Sequence, residues 1–195
     1  MLLRAAYAAG IFPMADARTG KIGWYCPDPR GVLPLESFRI PRNLARLVRQ
    51  RRFEIRIDTA FAAVLDACAG PRSRDDEGWM SPVLRQAYVE LHREGEAHSV
   101  EAWRDGRLVG GLYGVRLHGA FFGESMFCRP DLGGSNASKV CLVHLVERLR
   151  EGGFALLDTQ MVTEHMQQFG CVEIPAEAYL DRLAHAMELD ATWAP

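Results

Sequence analysis

The stretch FFGESMFC (Phe121–Cys128) reads as a strand from the middle of a sheet, yet it carries Glu124 among Phe121, Phe122, Met126 and Phe127. Burying an unpaired carboxylate costs roughly several kcal/mol. A residue in that position needs a partner, a proton or a cationic ligand. A second apolar stretch, FALLDTQMV (154–162), places Asp158 and Gln160 two positions apart. On a strand that spacing puts both on one face, shared with Phe154, Leu156 and Val162. Two strands expected to lie near each other thus each carry polar groups where packing prefers apolar ones. The competing reading of the pattern is a strand end at which Asp158 and Gln160 emerge into solvent.

The third feature is a run of arginines. FRIPRNLARLVRQRRFEIR (38–56) contains Arg39, Arg42, Arg46, Arg49, Arg51, Arg52 and Arg56 against the single acid Glu54, in a chain whose formal net charge is −2. That net charge argues against general nucleic-acid binding. The local run suits either a solvated helix face or a patch that contacts phosphates. The five cysteines are odd in number and scattered without a CxxC, and no histidine pair has metal-ligand spacing. Reduced thiols in a cytoplasmic protein are expected, with no metal and no disulfide framework. His98 and His165 are expected to be structural. No run approaches the roughly 18 apolar residues of a membrane span, and MLLRAAYAAGIFP lacks the features of a cleaved leader.

These residues must be held by a substantial core. With 195 residues, 48% hydrophobic and 25% charged, the chain suits one domain with at most a small appendage. The first forty residues are rich in Gly, Pro and Asp and are expected to be irregular. A helix with arginines on one face is predicted over Pro41–Gln50, a short alternating strand at FEIRID, and a helix over Thr59–Ala69. Ser81 with Pro82 opens another helix that runs to about Glu94. The period then changes to two. Asp105-Gly106 and His118-Gly119 break SVEAWRDGRLVGGLYGVRLHGAFFGESMFC into three strands. RPDLGGSNASK is a glycine-bearing loop before a helix from about Ala137 to Glu151, and its backbone N–H groups could meet an anionic or carbonyl oxygen. A buried strand at FALLDTQMV and a last helix over Ala176–Glu188 complete an α+β order.

That order is similar to the fold of the Gcn5-related (GNAT-like) acyltransferases, a mostly antiparallel sheet flanked by helices in which the strands around the central helix splay apart. More specifically, GIFP, WYCPDPR, EGW, AYVELHREGEAHSVEAW, LVGGLYGV, GESMF, NASK, LLDTQMVTEH and FGCVEIP occur in this order across nearly the whole chain. Together they resemble the leucyl/phenylalanyl-tRNA–protein transferases. The resemblance implies an aminoacyltransferase that moves Leu or Phe, with Met a further candidate, from leucyl-tRNA or phenylalanyl-tRNA to the N-terminal Arg or Lys of a protein. The product is thereby marked for N-degron degradation. A monomer without organic cofactor or metal is implied. By motif, Glu124, Asp158 and Gln160 are the catalytic residues. Leu112, Leu142 and Leu145 line the amino-acid pocket, Trp79 stacks on the terminal adenosine, and Asn136 and Ser138 join the substrate site. Arg39, Arg42, Arg46, Arg49 and Arg52 would hold the tRNA. Residues 1–35 are expected to be the remnant of the family's N-terminal subdomain and 36–195 its catalytic domain. Met14 stands where a tryptophan is expected, and the loop before NASK is longer than usual. The alternatives are a sister transferase whose acceptors begin with an acidic residue, and an acetyl-CoA-dependent N-acetyltransferase.

Overall fold

The computed structural model describes residues 2–16, 19–70 and 80–193. The N-terminal segment is more regular than its glycine and proline content suggests. It forms helix α1 (Leu2–Ala8), a hairpin of β1 (Phe12–Ala15) and β2 (Ile22–Tyr25), and the short strand β3 (Arg30–Val32). Helices α2 (Arg42–Arg49), α3 (Phe61–Ala69) and α4 (Pro82–Arg93) flank β4 (Glu54–Ile57). Ser81 caps α4 by accepting a hydrogen bond from the Leu84 N–H at 3.2 Å, and Pro82 sits where a missing N–H costs nothing.

A meander follows: β5 (Ala97–Arg104), β6 (Arg107–Leu117) and β7 (Ala120–Cys128). Asp105 and Gly106 have φ of 51° and 72°, the paired positive values that a tight hairpin turn needs. Helix α5 (Ala137–Glu151) leads to β8 (Leu156–Gln160), the short α6 (Glu164–Gln167), β9 (Val172–Ile174) and α7 (Ala176–Met187). Strand order in the seven-stranded sheet is β4-β5-β6-β7-β8-β3-β9, antiparallel except for the β7–β8 pair. The class is therefore α+β with a mostly antiparallel central sheet. β3 falls within the first 35 residues yet inserts between β8 and β9, so the segment expected as an N-terminal remnant enters the main sheet.

Side-chain alternation along the strands divides the core. On one face Val100, Leu112, Phe121 and Leu157 pack with Leu142, Leu145, Val146 and Leu149 of α5. On the other, Tyr113, Val115 and Phe122 pack with Tyr7, Val64, Tyr88 and Tyr179 from four helices. Among the described residues no helix is long and apolar enough to cross a membrane.

Candidate active site

Two irregularities in the sheet create the site. β7 pairs with β8 only at Ala120–Phe122, and the ladder ends at Phe122↔Asp158. Beyond that point β7 runs on to Cys128 while β8 stops at Gln160, so the strands on either side of α5 part company. The β6–β7 ladder is also interrupted: Gly114 opposes Gly123 and Tyr113 opposes Ser125. Glu124 is the additional residue, a bulge that re-aims a side chain out of the strict alternation. The misfit carboxylate of the sequence is thus the bulge residue at the fork.

A cavity of about 620 Å³ opens at this fork, within the usual range for small-molecule sites. Its polar lining includes Glu124, Ser125, Thr159 and Gln160, and its apolar lining Leu112, Met126, Leu142, Leu145, Leu157 and Met166. Phe12, Pro13 and Met14 of β1 also line it. The structure therefore brings Glu124 and Gln160 together with Leu112, Leu142 and Leu145 around one cavity, which Met14 also lines.

Glu124 accepts a hydrogen bond from the Tyr88 hydroxyl at 2.9 Å, and Tyr88 contacts the Tyr7 hydroxyl at 2.8 Å. The Gln160 amide nitrogen donates to the other Glu124 oxygen at 3.4 Å. Burial pushes the Glu124 carboxyl up to about 7, partly offset by the tyrosine hydroxyls. Burial likewise pushes both tyrosines well above their ordinary value, with the nearby Glu124 charge adding to it, so they stay protonated donors.

Asp158 does not line the cavity. It is fully buried beneath it and gripped by Arg30, whose Nε and Nη2 donate to its two oxygens at 3.0 and 2.6 Å. The Tyr179 hydroxyl donates to it at 2.7 Å, and so does the backbone N–H of Gln160. Asp158 thus holds Gln160 through the main chain and leaves the side-chain amide free to reach Glu124. Gln160 has φ of 59°, a left-handed conformation that ends the strand alternation. The solvated strand end is excluded, because Asp158 is 0% and Gln160 7% exposed.

Sequence reasoning misses Arg30, Tyr179, Tyr88 and Tyr7. Each meets its carboxylate across at least 21 positions, and 128 separate Arg30 from Asp158. The one available signal is an arginine inside an otherwise apolar, motif-bearing segment, RGVL.

The remaining candidates are dispersed. Asn136 is exposed in a left-handed conformation before α5, without a side-chain capping bond, and Ser138 is buried against Gly110 of β6. Neither belongs to the cavity lining. Trp79 lies outside the described residues. Arg39, Arg42, Arg46, Arg49 and Arg52 lie on the surface run, whereas Arg56 is taken up by Glu54 at 2.8 Å and stacks over Trp103. Arg39 donates its backbone N–H to the Phe169 carbonyl at 2.9 Å, which ties the start of the basic run to the segment after α6. His98 is structural, bonded to Asp58 at 2.7 Å and stacked on Trp193. His165, by contrast, lines the cavity, and burial and then Lys139 hold its pKa below the ordinary value. No group of three or more His, Cys, Asp or Glu among the described residues could hold a metal.

Residues 32–184 match the family model described as leucyl/phenylalanyl-tRNA protein transferase, and residues 1–28 match that family's N-terminal domain. The chain belongs to this family. It is 54% identical over 194 residues to the leucyl/phenylalanyl-tRNA–protein transferase of Salinibacter ruber, covering 100% of this chain and 82% of that protein. Identity to the enzyme of the same name from Paramagnetospirillum magneticum is 54% over 187 residues, 95% of this chain and 88% of that one. Among solved structures, a ribosomal-protein-alanine N-acetyltransferase from Brucella melitensis biovar Abortus 2308 aligns with a TM-score of 0.41 and 19% identity, over 60% of this chain and 86% of that chain. Family membership makes this chain an aminoacyltransferase.

Proposed function

We propose that the fork between β7 and β8 is where an aminoacyl-tRNA ester is aminolysed by the N-terminal amine of a protein. The observation that carries the reading is Glu124 and Gln160, 3.4 Å apart, in the polar lining of a mainly apolar cavity in a chain of this family. The apolar lining suits an unbranched-at-Cβ apolar side chain such as Leu, Phe or Met. The incoming amine attacks the ester carbonyl carbon; a C–N bond forms, the C–O bond to the terminal ribose breaks, the ribose oxygen gains a proton and the amine loses one. Because the ester is already activated, much of the catalysis is positioning.

The donors and acceptors divide the work. With its NH2 group turned to Glu124, Gln160 presents its amide oxygen to an N–H of the attacking amine. Glu124, poised close to the roughly 7.7–8.0 of an α-amino group, holds or accepts the proton that the amine gives up. A neutral amide is a poor base, and Asp158 is already saturated by Arg30, Tyr179 and the Gln160 N–H. Proton transfer therefore falls to Glu124, and orientation to Gln160. The arginines from Arg39 to Arg52 would hold the phosphates of the tRNA. Replacing Arg42, Arg46 and Arg49 by Gln should flatten the salt dependence of binding by about one unit of log–log slope for each phosphate that is no longer neutralised. Filter binding across a salt series measures it.

Acceptors beginning with Arg or Lys, and the degradation that follows, belong to this proposal. The test is transfer of radiolabelled Leu, Phe and Met from charged tRNA to peptides beginning with Arg, Lys, Asp or Ala, with Gln160→Ala and acetyl-CoA controls. Transfer to Arg and Lys peptides alone supports the proposal. Transfer to Asp peptides reassigns the acceptor, and label taken only from acetyl-CoA overturns the reading.

A further inference from the structure

Arg30 is held on every side. It is 0% exposed, makes a two-pronged contact with Asp158, and donates through Nη1 to the Gly10 carbonyl at 2.8 Å. Its guanidinium lies 4.4 Å from the Tyr179 ring centroid and 5.1 Å from that of Phe12. A buried ion pair is weak evidence for stability, since desolvation offsets much of the attraction. What the pair achieves geometrically is more specific. One Asp158 oxygen accepts from Arg30 Nη2 and Tyr179, and the other accepts from Arg30 Nε at 3.0 Å and from the Gln160 N–H at 2.7 Å, so the fork sets the angle at which that oxygen meets Gln160.

The neighbouring residue makes the same point. Gly31 pairs with Gln160, and a Cβ at Gly31 would lie 2.6 Å from the Met161 carbonyl carbon and 2.8 Å from the Val162 nitrogen. β3 is therefore a template against which the chain after Asp158 turns. Gly31 admits the backbone, and Arg30 fixes the carboxylate that pins its first left-handed residue.

We propose that Arg30 and Tyr179 are positioning residues for the transfer reaction, acting through Asp158 on the backbone of Gln160 and so on the aim of its side chain at Glu124. The inference rests on the function proposed above. It assigns to the segment carrying Arg30 a place in the catalytic geometry that the cavity lining does not reveal. It also distinguishes the two acids: the buried Asp158 shapes the site, and the half-buried Glu124 works in it.

Two variants of the full chain test this. Arg30→Lys keeps the buried charge pair but replaces a planar fork with a point charge that cannot hold both oxygens and the Gly10 carbonyl. Tyr179→Phe keeps the ring over Arg30 and removes the hydroxyl that donates to Asp158 at 2.7 Å and accepts from Arg30 Nη2 at 3.3 Å. Displacing Gln160 by about 1 Å should lower kcat by about 100-fold in Arg30→Lys, with KM for the charged tRNA little changed. Tyr179→Phe should lose several-fold in kcat. A merely structural role predicts less folded enzyme but the parent's kcat per folded molecule, and that result overturns the proposal; if Arg30→Lys does not fold, Tyr179→Phe decides in the same way. Amide hydrogen exchange by NMR gives a readout independent of activity. The Gln160 amide should be protected in the parent and exchange at least about tenfold faster in both variants, while the amides of Leu156 and Leu157 are unchanged; about 1.4 kcal/mol of local opening corresponds to that factor. Unchanged Gln160 exchange in both variants overturns the clamp. A parent that folds and shows this protection but transfers no amino acid overturns the proposed function and leaves the clamp standing.

Discussion

Glu101 on β5 and Glu124 on β7 are both carboxylates set among apolar strand residues, and they have opposite roles. Glu101 is 0% exposed and its acceptor capacity is filled by the protein. Thr59 and Ser99 hydroxyls, the Ala60 N–H at 2.6 Å and the Trp103 indole N–H at 3.0 Å all donate to it, so it caps the entry to α3. Among the described residues Glu124 accepts from the Tyr88 hydroxyl at 2.9 Å and, more weakly, from the Gln160 amide at 3.4 Å, with the Tyr7 hydroxyl beside them, and it lines the cavity. A buried charge alone therefore does not mark a site. The distinguishing property is acceptor capacity that the fold leaves for something else.

Four experiments would break or sharpen that contrast. The largest expected effect is on transfer rate: Glu124→Gln should lower kcat/KM by about 10²–10⁴-fold, the usual contribution of a positioned acid or base, while the protein stays folded. Glu101→Gln should do the reverse. Turning one acceptor into a donor leaves the Ala60 N–H or the Thr59 hydroxyl without a partner, at about 1–3 kcal/mol of stability in urea titrations, with kcat per folded molecule retained. Equal stability losses in both variants would erase the distinction.

The next effect is on pH. Glu124 is raised to about 7 by burial, so the folded chain keeps a proton that the unfolded chain has already released. Its contribution to stability is complete below the ordinary carboxylate range and is lost as pH rises through about 7, with a size on the order of 1–3 kcal/mol. The melting temperature of the parent should accordingly fall between about pH 5 and pH 8 relative to Glu124→Gln, whereas its kcat/KM should rise over the same range as the carboxylate ionises. The smallest effect is expected for Tyr88→Phe. Removing a hydrogen bond that favours the ionised form should move the acid limb of the kcat/KM profile upward by a fraction of a pH unit, with rates at about pH 8.5 close to the parent's.

Much of this is legible from residue types. The Asp105-Gly106 turn, the Ser81-Pro82 helix start, the three-strand meander and the helix over Ala137–Glu151 depend on local preferences and appear where the pattern puts them. The misfit of Glu124, Asp158 and Gln160 is visible as well, because polar residues in an apolar period need a reason. Their division of labour is not. Strict alternation places Asp158 and Gln160 on one face, but the left-handed turn at Gln160 separates them, one below the cavity and one in it. Alternation likewise has no place for a bulge residue, and Glu124 is one. The N-terminal glycines and prolines suggest irregular structure, and tertiary pairing overrides them by drawing Arg30–Val32 into the sheet.

The sequence by itself determined the α+β order, the family and the identity of the polar residues that the core does not need, because composition, period and turn chemistry act over a few neighbouring positions. Only the tertiary structure decided which acid is neutralised and which is left poised. That outcome depends on the burial of each carboxylate and on partners brought from far along the chain, Arg30 to Asp158 and Tyr88 to Glu124, which no local pattern encodes.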